Sequence, residues 1–391
     1  MPYARRALDR PTPLLAGLTP TAFMQRHWQK RLLVIRHAIA DFTGLASPQT
    51  LFRFAQSSQV ECRLVMRTPA GWQLEHGPFK SARLRSLPER DWTLLVQGLN
   101  HHLRSADQLL RRFDFVPHAR LDDVMVSLAA PGGGVGPHFD SYDVFLLQGL
   151  GQRRWDLSHQ RDLKLDASAP LKLLARMRPQ ESHVLATGDM LYLPPRVAHD
   201  GVAVQTSGWC TTYSIGFRAP GDVETARAFA EWLADTLPDE ETAIPMDPDL
   251  AATSAPGRIP STWRRSVARA VSRLPRNADA VAEFAGCLAT QVKPHIQWTI
   301  PRAPISPRSF RRALLQTGIR LAAQTRCAYD AKRLFINGES FDIVADAALW
   351  RSLADRREFR LPEGSPAGIA AMLYDWYLAG WVELPGEEKT T

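Results

Sequence analysis

His138 and Asp140 stand two residues apart in Gly136-Pro137-His138-Phe139-Asp140, an imidazole and a carboxylate with one side chain between them. On an extended strand, residues i and i+2 share a face, so this pair can converge on one ion. A second imidazole, His199, closes the segment Gly188-Asp189-Met190-Leu191-Tyr192-Leu193-Pro194-Pro195-Arg196-Val197-Ala198-His199. There a Gly-Asp turn leads into an apolar strand, two prolines stop it, and a loop delivers the ring. Two imidazoles and one carboxylate are the ligand set that holds non-haem Fe(II) and leaves coordination positions for reactants. His-x-Asp alone is a weak signal, common as surface decoration; the downstream half gives it weight. The competing imidazoles are His159, in a polar loop, and His183, which opens a strand. Neither has a context that aims its ring as the turn before His199 does.

Arg153 and Arg154 follow Gln148-Gly149-Leu150-Gly151 at the start of a strand, where only one of two neighbours can face inward. If the co-substrate is 2-oxoglutarate, its distal carboxylate needs a cation, and a guanidinium offers a planar fork for two charge-assisted hydrogen bonds. Two arginines facing solvent are the alternative. Ser127 precedes Gly132-Gly133-Gly134 and is either a carboxylate contact or a hydroxyl satisfied by the sheet backbone. The triple glycine lacks the Gly-Lys-Ser/Thr ending of a phosphate loop and reads as a flexible turn beside the site. Tyr142 and Asp143 follow the first half of the triad as candidate substrate contacts. Asp143 either meets a cationic substrate side chain or, the commoner case, pairs with a neighbouring arginine.

These residues need a scaffold, and the surrounding pattern supplies strands. Short apolar or alternating runs at 124–128, 142–147, 154–157, 183–185, 190–193, 202–204 and 209–217 are separated by turn residues. Such spacing predicts a sandwich or barrel, and an inward-facing metal site suits a jelly roll. Upstream, residues 1 to about 60 look mostly helical. Thr19-Pro20 and Ser47-Pro48 each place a capping hydroxyl ahead of a first-turn proline. Residues 31–35 read as a buried strand, 60–72 as a strand pair turning at Thr68-Pro69-Ala70-Gly71, and 92–99 as a long apolar strand.

Past Arg218 the apolar period changes to three and four, through Val223, Ala226, Ala230, Leu233 and Leu237. Residues 238–260 read as an irregular linker, followed by amphipathic helices over 262–274 and 278–292. After Pro301, Pro304 and Pro307 come a helix near Ser309, a hairpin over 334–343 turning at Asn337-Gly338, and a helix over 349–356. A last helix starts at Ser365-Pro366, and a closing strand covers 381–384. The expected fold is mixed α+β. Residues 1–218 are expected to form a catalytic barrel with an N-terminal helical extension, 219–300 a helical packing or dimerisation region, and 301–391 a winged-helix-like domain.

At 391 residues, 45% hydrophobic and 23% charged, the composition is that of an ordinary soluble protein. The four cysteines, Cys62, Cys210, Cys287 and Cys327, contain no Cys-x-x-Cys pair, which argues against a zinc knuckle or disulfide framework and for a cytoplasmic setting. No apolar run is long enough to span a bilayer. The net charge of +8 suits either an acidic partner such as RNA or simply an arginine-rich solvated surface, since it is spread along the chain. The tail's basic residues do not gather on one helix, so that domain reads as structural before nucleic-acid-binding.

The run from Asp122 to Trp155 closely resembles the bacterial JmjC-type ribosomal oxygenases, the arginine hydroxylases acting on large-subunit ribosomal protein uL16 (L16). So do His76-Gly77-Pro78-Phe79, Leu94-Leu95-Val96-Gln97, Gly188-Asp189 through His199, and Tyr213-Ser214-Ile215-Gly216-Phe217-Arg218-Ala219-Pro220. A weaker likeness reaches Phe335-Ile336-Asn337-Gly338-Glu339. The resemblance implies a double-stranded β-helix (jelly-roll, cupin) JmjC core, a helical dimerisation region and a C-terminal winged helix. It implies His138, Asp140 and His199 as ligands of Fe(II), Arg153 as the partner of 2-oxoglutarate and Ser127 as a further co-substrate contact. With O2, the implied reaction hydroxylates the β-carbon of an arginine in L16, by a homodimer. Phe139 stands where the family pattern has an aliphatic residue; facing away from the ligands on a strand, it leaves ligation alone. The same fold also suits a ribosomal-protein histidine hydroxylase or a lysine demethylase. Outside the enzymes stand a metal-binding cupin without turnover and a nucleic-acid-binding protein. A basic enzyme on a basic ribosomal protein calls for a local acidic groove, with Asp143 as its candidate.

Overall fold

The computed structural model describes residues 8–205, 207–218, 220–237, 250–343 and 346–386. The first part of the expected linker, 238–249, lies outside them; 250–260 carries no helix or strand. The chain forms two compact units: residues 1–219, 292–326 and 355–391 make the first, and residues 220–291 and 327–354 the second.

The jelly roll of the first unit is built on eleven described strands: β1 Leu33–Ile35, β2 Cys62–Thr68, β3 Gly71–His76, β4 Trp92–Val96, β5 Leu121–Ala129, β6 Val144–Gln148, β7 Arg153–Ser158, β8 Glu181–Leu185, β9 Met190–Leu193, β10 Ala198–Ala203 and β11 Cys210–Phe217. They pair antiparallel into an eight-stranded sheet ordered β1-β9-β6-β11-β5-β4-β2-β3 and a three-stranded sheet ordered β10-β7-β8. From β6 onward the chain steps back and forth between the sheets, the jelly-roll winding the strand spacing predicted.

The centre of the large sheet is buried on both faces, and β6 shows how. Val144 and Leu146 face the small sheet, in a cluster with Trp155, Leu157, Leu185, Leu191, Leu193 and Val197. Phe145 and Leu147 point the opposite way, into the main core with Phe23, Phe113, Tyr192, Tyr213 and Phe217. A strand buried on both faces reads as a continuous apolar run. The N-terminal helices supply the outer cover. Thr19 Oγ1 caps the helix Pro20–Arg26 by accepting from Ala22 N–H at 3.0 Å, and Ser47 Oγ caps Pro48–Phe54 from Thr50 N–H at 3.2 Å. Phe23, from the first of these, is fully buried; burial of such a ring stabilises by about 1.5–3 kcal/mol.

Alternation also defines the inner face. Ser127 of β5 lies opposite Thr212 of β11, and Thr212 opposite Gln148 of β6. This polar row crosses an otherwise apolar interior. Several strand expectations change at their ends. β4 stops at Val96, because Gly98 takes φ +62 and opens a 3-10 turn, and β6 begins at Val144 rather than at Tyr142. β10 begins at Ala198 rather than at Val202, so His199 lies on a strand and not in a loop, held by its pairing with Leu157 of β7.

Six further strands follow: β12 Ile319–Leu321, β13 Cys327–Tyr329, β14 Arg333–Ile336, β15 Glu339–Asp342, β16 Glu358–Phe359 and β17 Val382–Glu383. In the first unit β12 lies between β16 and β17, with helices Pro307–Gln316 and Ala367–Leu378 packed through Phe310 and Tyr377. In the second unit β13, β14 and β15 form a meander. Its β14–β15 turn is Asn337-Gly338, with φ +52 and +91, the two positive angles of a tight hairpin. The same unit holds the helices Asp222–Thr236, Ser261–Ser272 and Ala278–Thr290, with Phe284 packed on Phe229 at 5.0 Å.

Candidate active site

His138 and His199 are joined by a single backbone bridge. His138 N–H donates to His199 O at 2.9 Å and His199 N–H donates to His138 O at 2.8 Å, leaving the ring centroids 4.2 Å apart. Each ring is oriented by the same local device: Nδ1–H donates to the carbonyl two residues back, Gly136 O for His138 and Val197 O for His199, both at 2.9 Å. A ring nitrogen facing a carbonyl must be the donor, so Nε2 of both rings carries the lone pair. Asp140 Oδ2 lies 3.8 Å from His199 Nε2. Donor atoms of all three residues lie within 4.8 Å of one another, the one such cluster among the described residues. Burial, and then the neighbouring His138, push the His199 pKa down to about 4. His199 is therefore neutral near pH 7, as a metal-ligating imidazole must be. This nitrogen-nitrogen-carboxylate donor set fits Fe(II).

The expected convergence is present, but a strand does not produce it. His138 makes only the isolated bridge to His199, and Asp140 lies in the loop beyond it. Arg196 N–H fixes that loop by donating to Asp140 O at 2.8 Å. The triple glycine is likewise a close-packed crossing rather than a flexible turn. A Cβ at Gly133 would lie 2.1 Å from Trp92 O, and one at Gly134 2.6 Å from Gly201 O.

Arg153 opens β7 and faces inward with 2% exposure, while Arg154 faces out and pairs with Asp156 at 3.1 Å. The Arg153 guanidinium crosses from the small sheet to the polar row on the large one. Its Nε donates to Thr212 Oγ1 at 2.9 Å, Nη1 to Gly201 O at 2.9 Å and Nη2 to Ser127 Oγ at 3.4 Å. Thr212 Oγ1 in turn donates to Gln148 Oε1 at 3.0 Å. These partners are all neutral, and among the described residues no carboxylate stands within ion-pair distance of Arg153. Burying a cation without a counter-charge is costly, so the surroundings of Arg153 are complementary to an anion. Ser127 fits both sequence readings, since it accepts from Arg153 and donates to Thr212 O at 3.4 Å.

Trp155 ties the two halves together. Its ring lies 5.7 Å from the Arg153 Cζ and 5.8 Å from the His199 ring. Gly201, opposite it on β10, has no room for a side chain: a Cβ there would be 2.5 Å from the indole. Thr212, Gln148, Gly201 and Trp155 are the residues sequence reasoning missed. Their signal was alternation, since Thr212 precedes the outward Tyr213 and so faces the same interior as Ser127.

Asp143 does not serve as expected. It is fully buried, accepting from Tyr192 O–H at 2.6 Å and from Gln29 Nε2 at 2.9 Å, so it neither pairs with an arginine nor reaches a substrate. Tyr142 is 39% exposed, beside the triad. Burial, and then the carboxylates of Asp140, Asp123 and Asp122, raise its phenol pKa, with a hydrogen bond to Asp140 adding to the effect. The acidity near the site thus comes from Asp122 and Asp123. Lys293 Nζ reaches them at 3.1 and 3.5 Å, and Arg218 Nε meets Asp122 at 3.2 Å. His159 and His183 stand apart from the triad and face Glu181 at 3.5 and 2.9 Å.

A jelly roll that sets two imidazoles and a carboxylate beside a buried, unopposed guanidinium defines a class: non-haem metal oxygenases with an anionic co-substrate. The comparisons agree. The JmjC domain family matches residues 108–225 and the ROXA-like winged helix family residues 273–383. The ribosomal protein uL16 3-hydroxylase of Escherichia coli (strain K12) is 33% identical over 325 residues, 82% of this chain and 84% of that protein. A probable ribosomal oxygenase of Haemophilus influenzae is 38% identical over 211 residues, 52% of this chain and 50% of that protein. The bifunctional lysine-specific demethylase and histidyl-hydroxylase NO66 of Drosophila pseudoobscura pseudoobscura is 24% identical over 205 residues, 50% of this chain and 21% of that protein. The solved E. coli ycfD structure superposes with a TM-score of 0.81 at 30% identity, covering 94% of this chain and 98% of that one. The complex of YcfD with cobalt and 2-oxoglutarate gives 0.78 at 30% identity, covering 95% and 99%. This chain belongs to the JmjC ribosomal oxygenase family.

Proposed function

We propose that this chain is a protein hydroxylase that uses Fe(II), 2-oxoglutarate and O2 to hydroxylate the β-carbon of an arginine in ribosomal protein L16. The observation that carries the reading is Arg153, buried without a counter-charge and linked through Trp155 to the His-Asp-His cluster. When bound, Fe(II) and 2-oxoglutarate would activate O2, the oxidant, with 2-oxoglutarate oxidised to succinate and CO2 and one oxygen atom passed to the substrate carbon as C–OH.

The protein's own work is placement. His138, Asp140 and His199 hold the ion on one side. Arg153, supported by Thr212 and Ser127, holds the distal carboxylate as a fork. The apolar barrel interior keeps water from the reacting atoms. Tyr142, exposed beside Asp140 and close to Asp122 and Asp123, is the substrate contact we retain. Histidine hydroxylation and lysine demethylation would use the same metal site. The L16 reading is preferred because the hydroxylase relative spans 82% of the chain and the demethylase relative 50%.

The helix Ser261–Ser272, with Trp263, Val267 and Val271 exposed along one side, supports a homodimer through the 219–300 segment. We keep 1–218 as the catalytic segment and 301–391 as the winged-helix-like one. No helix among the described residues is long and apolar enough to cross a membrane. A ribosomal substrate and four free cysteines support a cytoplasmic setting.

Anaerobic titration with Fe(II) tests the anion pocket. A metal-to-ligand absorption band should develop only when 2-oxoglutarate is added, and Arg153→Ala should shift its half-saturation upward by at least about tenfold. An unchanged midpoint in Arg153→Ala, with a shifted one in Arg154→Ala, would overturn the assignment.

A further inference from the structure

The helix Ser261–Ser272 in the second unit has no buried residue among its 12 positions. A helix of this length is marginal in water without a partner. It carries two different faces. Trp263, Val267 and Val271 recur every fourth residue and stand 60%, 46% and 47% exposed. Arg265, Arg269 and Arg273 recur at the same interval, displaced by two positions and hence by roughly 200° around the axis. With Arg258, Arg264 and Arg276 they make six arginines between residues 250 and 278, a stretch without Asp or Glu.

All six side chains are exposed. Some arginines elsewhere on the described surface find carboxylates: Arg36 with Asp189, Arg83 with Glu75, Arg154 with Asp156 and Arg320 with Glu383. Among the described residues no ion pair reaches any of the six. The helix dipole accounts for Arg269 and Arg273 near the C-terminal end, but favours neither Arg264 nor Arg265 in the first turn. This segment thus carries six positive charges with no acid among them.

An array of guanidinium forks with no internal acid is complementary to a run of phosphates. We propose that this arginine face docks on RNA, so that the enzyme meets its ribosomal-protein substrate on the RNA that carries it. The inference rests on the ribosomal oxygenase reading above and deepens it. It also removes the electrostatic difficulty of that reading. An enzyme of net charge +8 is repelled by a basic substrate in isolation, but is drawn to the same substrate on a polyanion. The apolar stripe goes to the second copy in the dimer, which leaves the arginine face outward. An anionic membrane is the weaker partner, because three apolar side chains bury little area in an interface.

The test uses the full chain and a fluorescein-labelled RNA duplex of about 20 base pairs, titrated by anisotropy between about 50 and 200 mM salt. The wild type should bind with a steep salt dependence. Replacing Arg264, Arg265, Arg269 and Arg273 together by Gln should weaken binding by at least about thirtyfold at the low-salt end and reduce the log–log salt slope by roughly 3. The four-fold Arg→Lys variant should retain most of the binding, since it keeps the charges, and so separates lost charge from lost folding. Hydroxylation of a free L16 peptide should stay within about twofold of wild type in the Gln variant, while hydroxylation of RNA-bound L16 should fall. Equal RNA binding by the wild type and the Gln variant would overturn the proposal, as would binding to phosphatidylserine-containing vesicles but not to RNA. The peptide assay judges the enzymatic reading and the RNA titration judges this face, so the two failures are separable.

Discussion

Arg153 and Arg154 are neighbours of one chemical type with opposite fates, and the strand register decides between them. Arg153 lies opposite Ala203 and Leu185 and shares the inner face with Trp155 and Leu157. Arg153→Lys keeps the charge but loses the fork that bonds Thr212, Gly201 and Ser127. Isothermal titration should show 2-oxoglutarate binding weakened by about 1.5–3 kcal/mol, with no change in Arg154→Lys. His138→Ala should abolish turnover with an unaltered far-ultraviolet circular dichroism spectrum; retained turnover would remove it from the ligand set. Asp143 tests the correction made above. Asp143→Ala strips the acceptor from Tyr192 and Gln29, so urea unfolding should show a loss of about 1–3 kcal/mol while the KM for the protein substrate holds steady. At this scale the sequence pointed to His138, Asp140 and His199, and the structure brings their donor atoms within 4.8 Å of one another. Sequence reasoning misread Asp143, because a buried acid that accepts from a tyrosine and a glutamine has the same local sequence as an exposed one.

The elements carry what the residues cannot. Strand alternation was legible, and with it the inner row of Ser127, Thr212 and Gln148 could have been found. The His138–His199 bridge was not, because it joins residues 61 positions apart through backbone bonds that no side-chain pattern records. The turn before β9 shows the same dependence on partners distant in sequence. Asp189 accepts from His37 N–H at 3.0 Å, Ala186 N–H at 3.1 Å and Arg36 Nη1 at 2.7 Å. Burial works to raise its pKa, but these hydrogen bonds prevail and hold it below the ordinary aspartate value. Because the folded pKa is depressed, the stability it contributes is complete above an unfolded pKa of about 3.9 and is lost as pH falls through the folded value. Asp189→Ala should cost about 1–3 kcal/mol near pH 7, and its deficit should shrink in unfolding measured near pH 3. A deficit that does not change with pH would show that the carboxylate acts through packing alone.

At the scale of the whole molecule, pairing order matters most. β12 pairs with β16 and β17 rather than with the nearer β13, a choice made by tertiary packing and absent from local propensity. The exposed stripe on Ser261–Ser272 was legible as an amphipathic helix, and the structure adds that no described residue buries it. If the proposed homodimer uses this stripe, the unaltered chain should sediment as a dimer and Trp263→Glu as a monomer, without loss of the hydroxylase site. An unchanged dimer would assign the interface to another surface.

The central claim is the reaction itself, and mass spectrometry on an arginine-containing L16 loop peptide tests it most directly. With enzyme, Fe(II), 2-oxoglutarate and air, one oxygen should be added to the arginine residue, with succinate formed in step and both lost when 2-oxoglutarate is omitted. An unmodified arginine with no succinate, from enzyme that binds metal and 2-oxoglutarate normally, would contradict it.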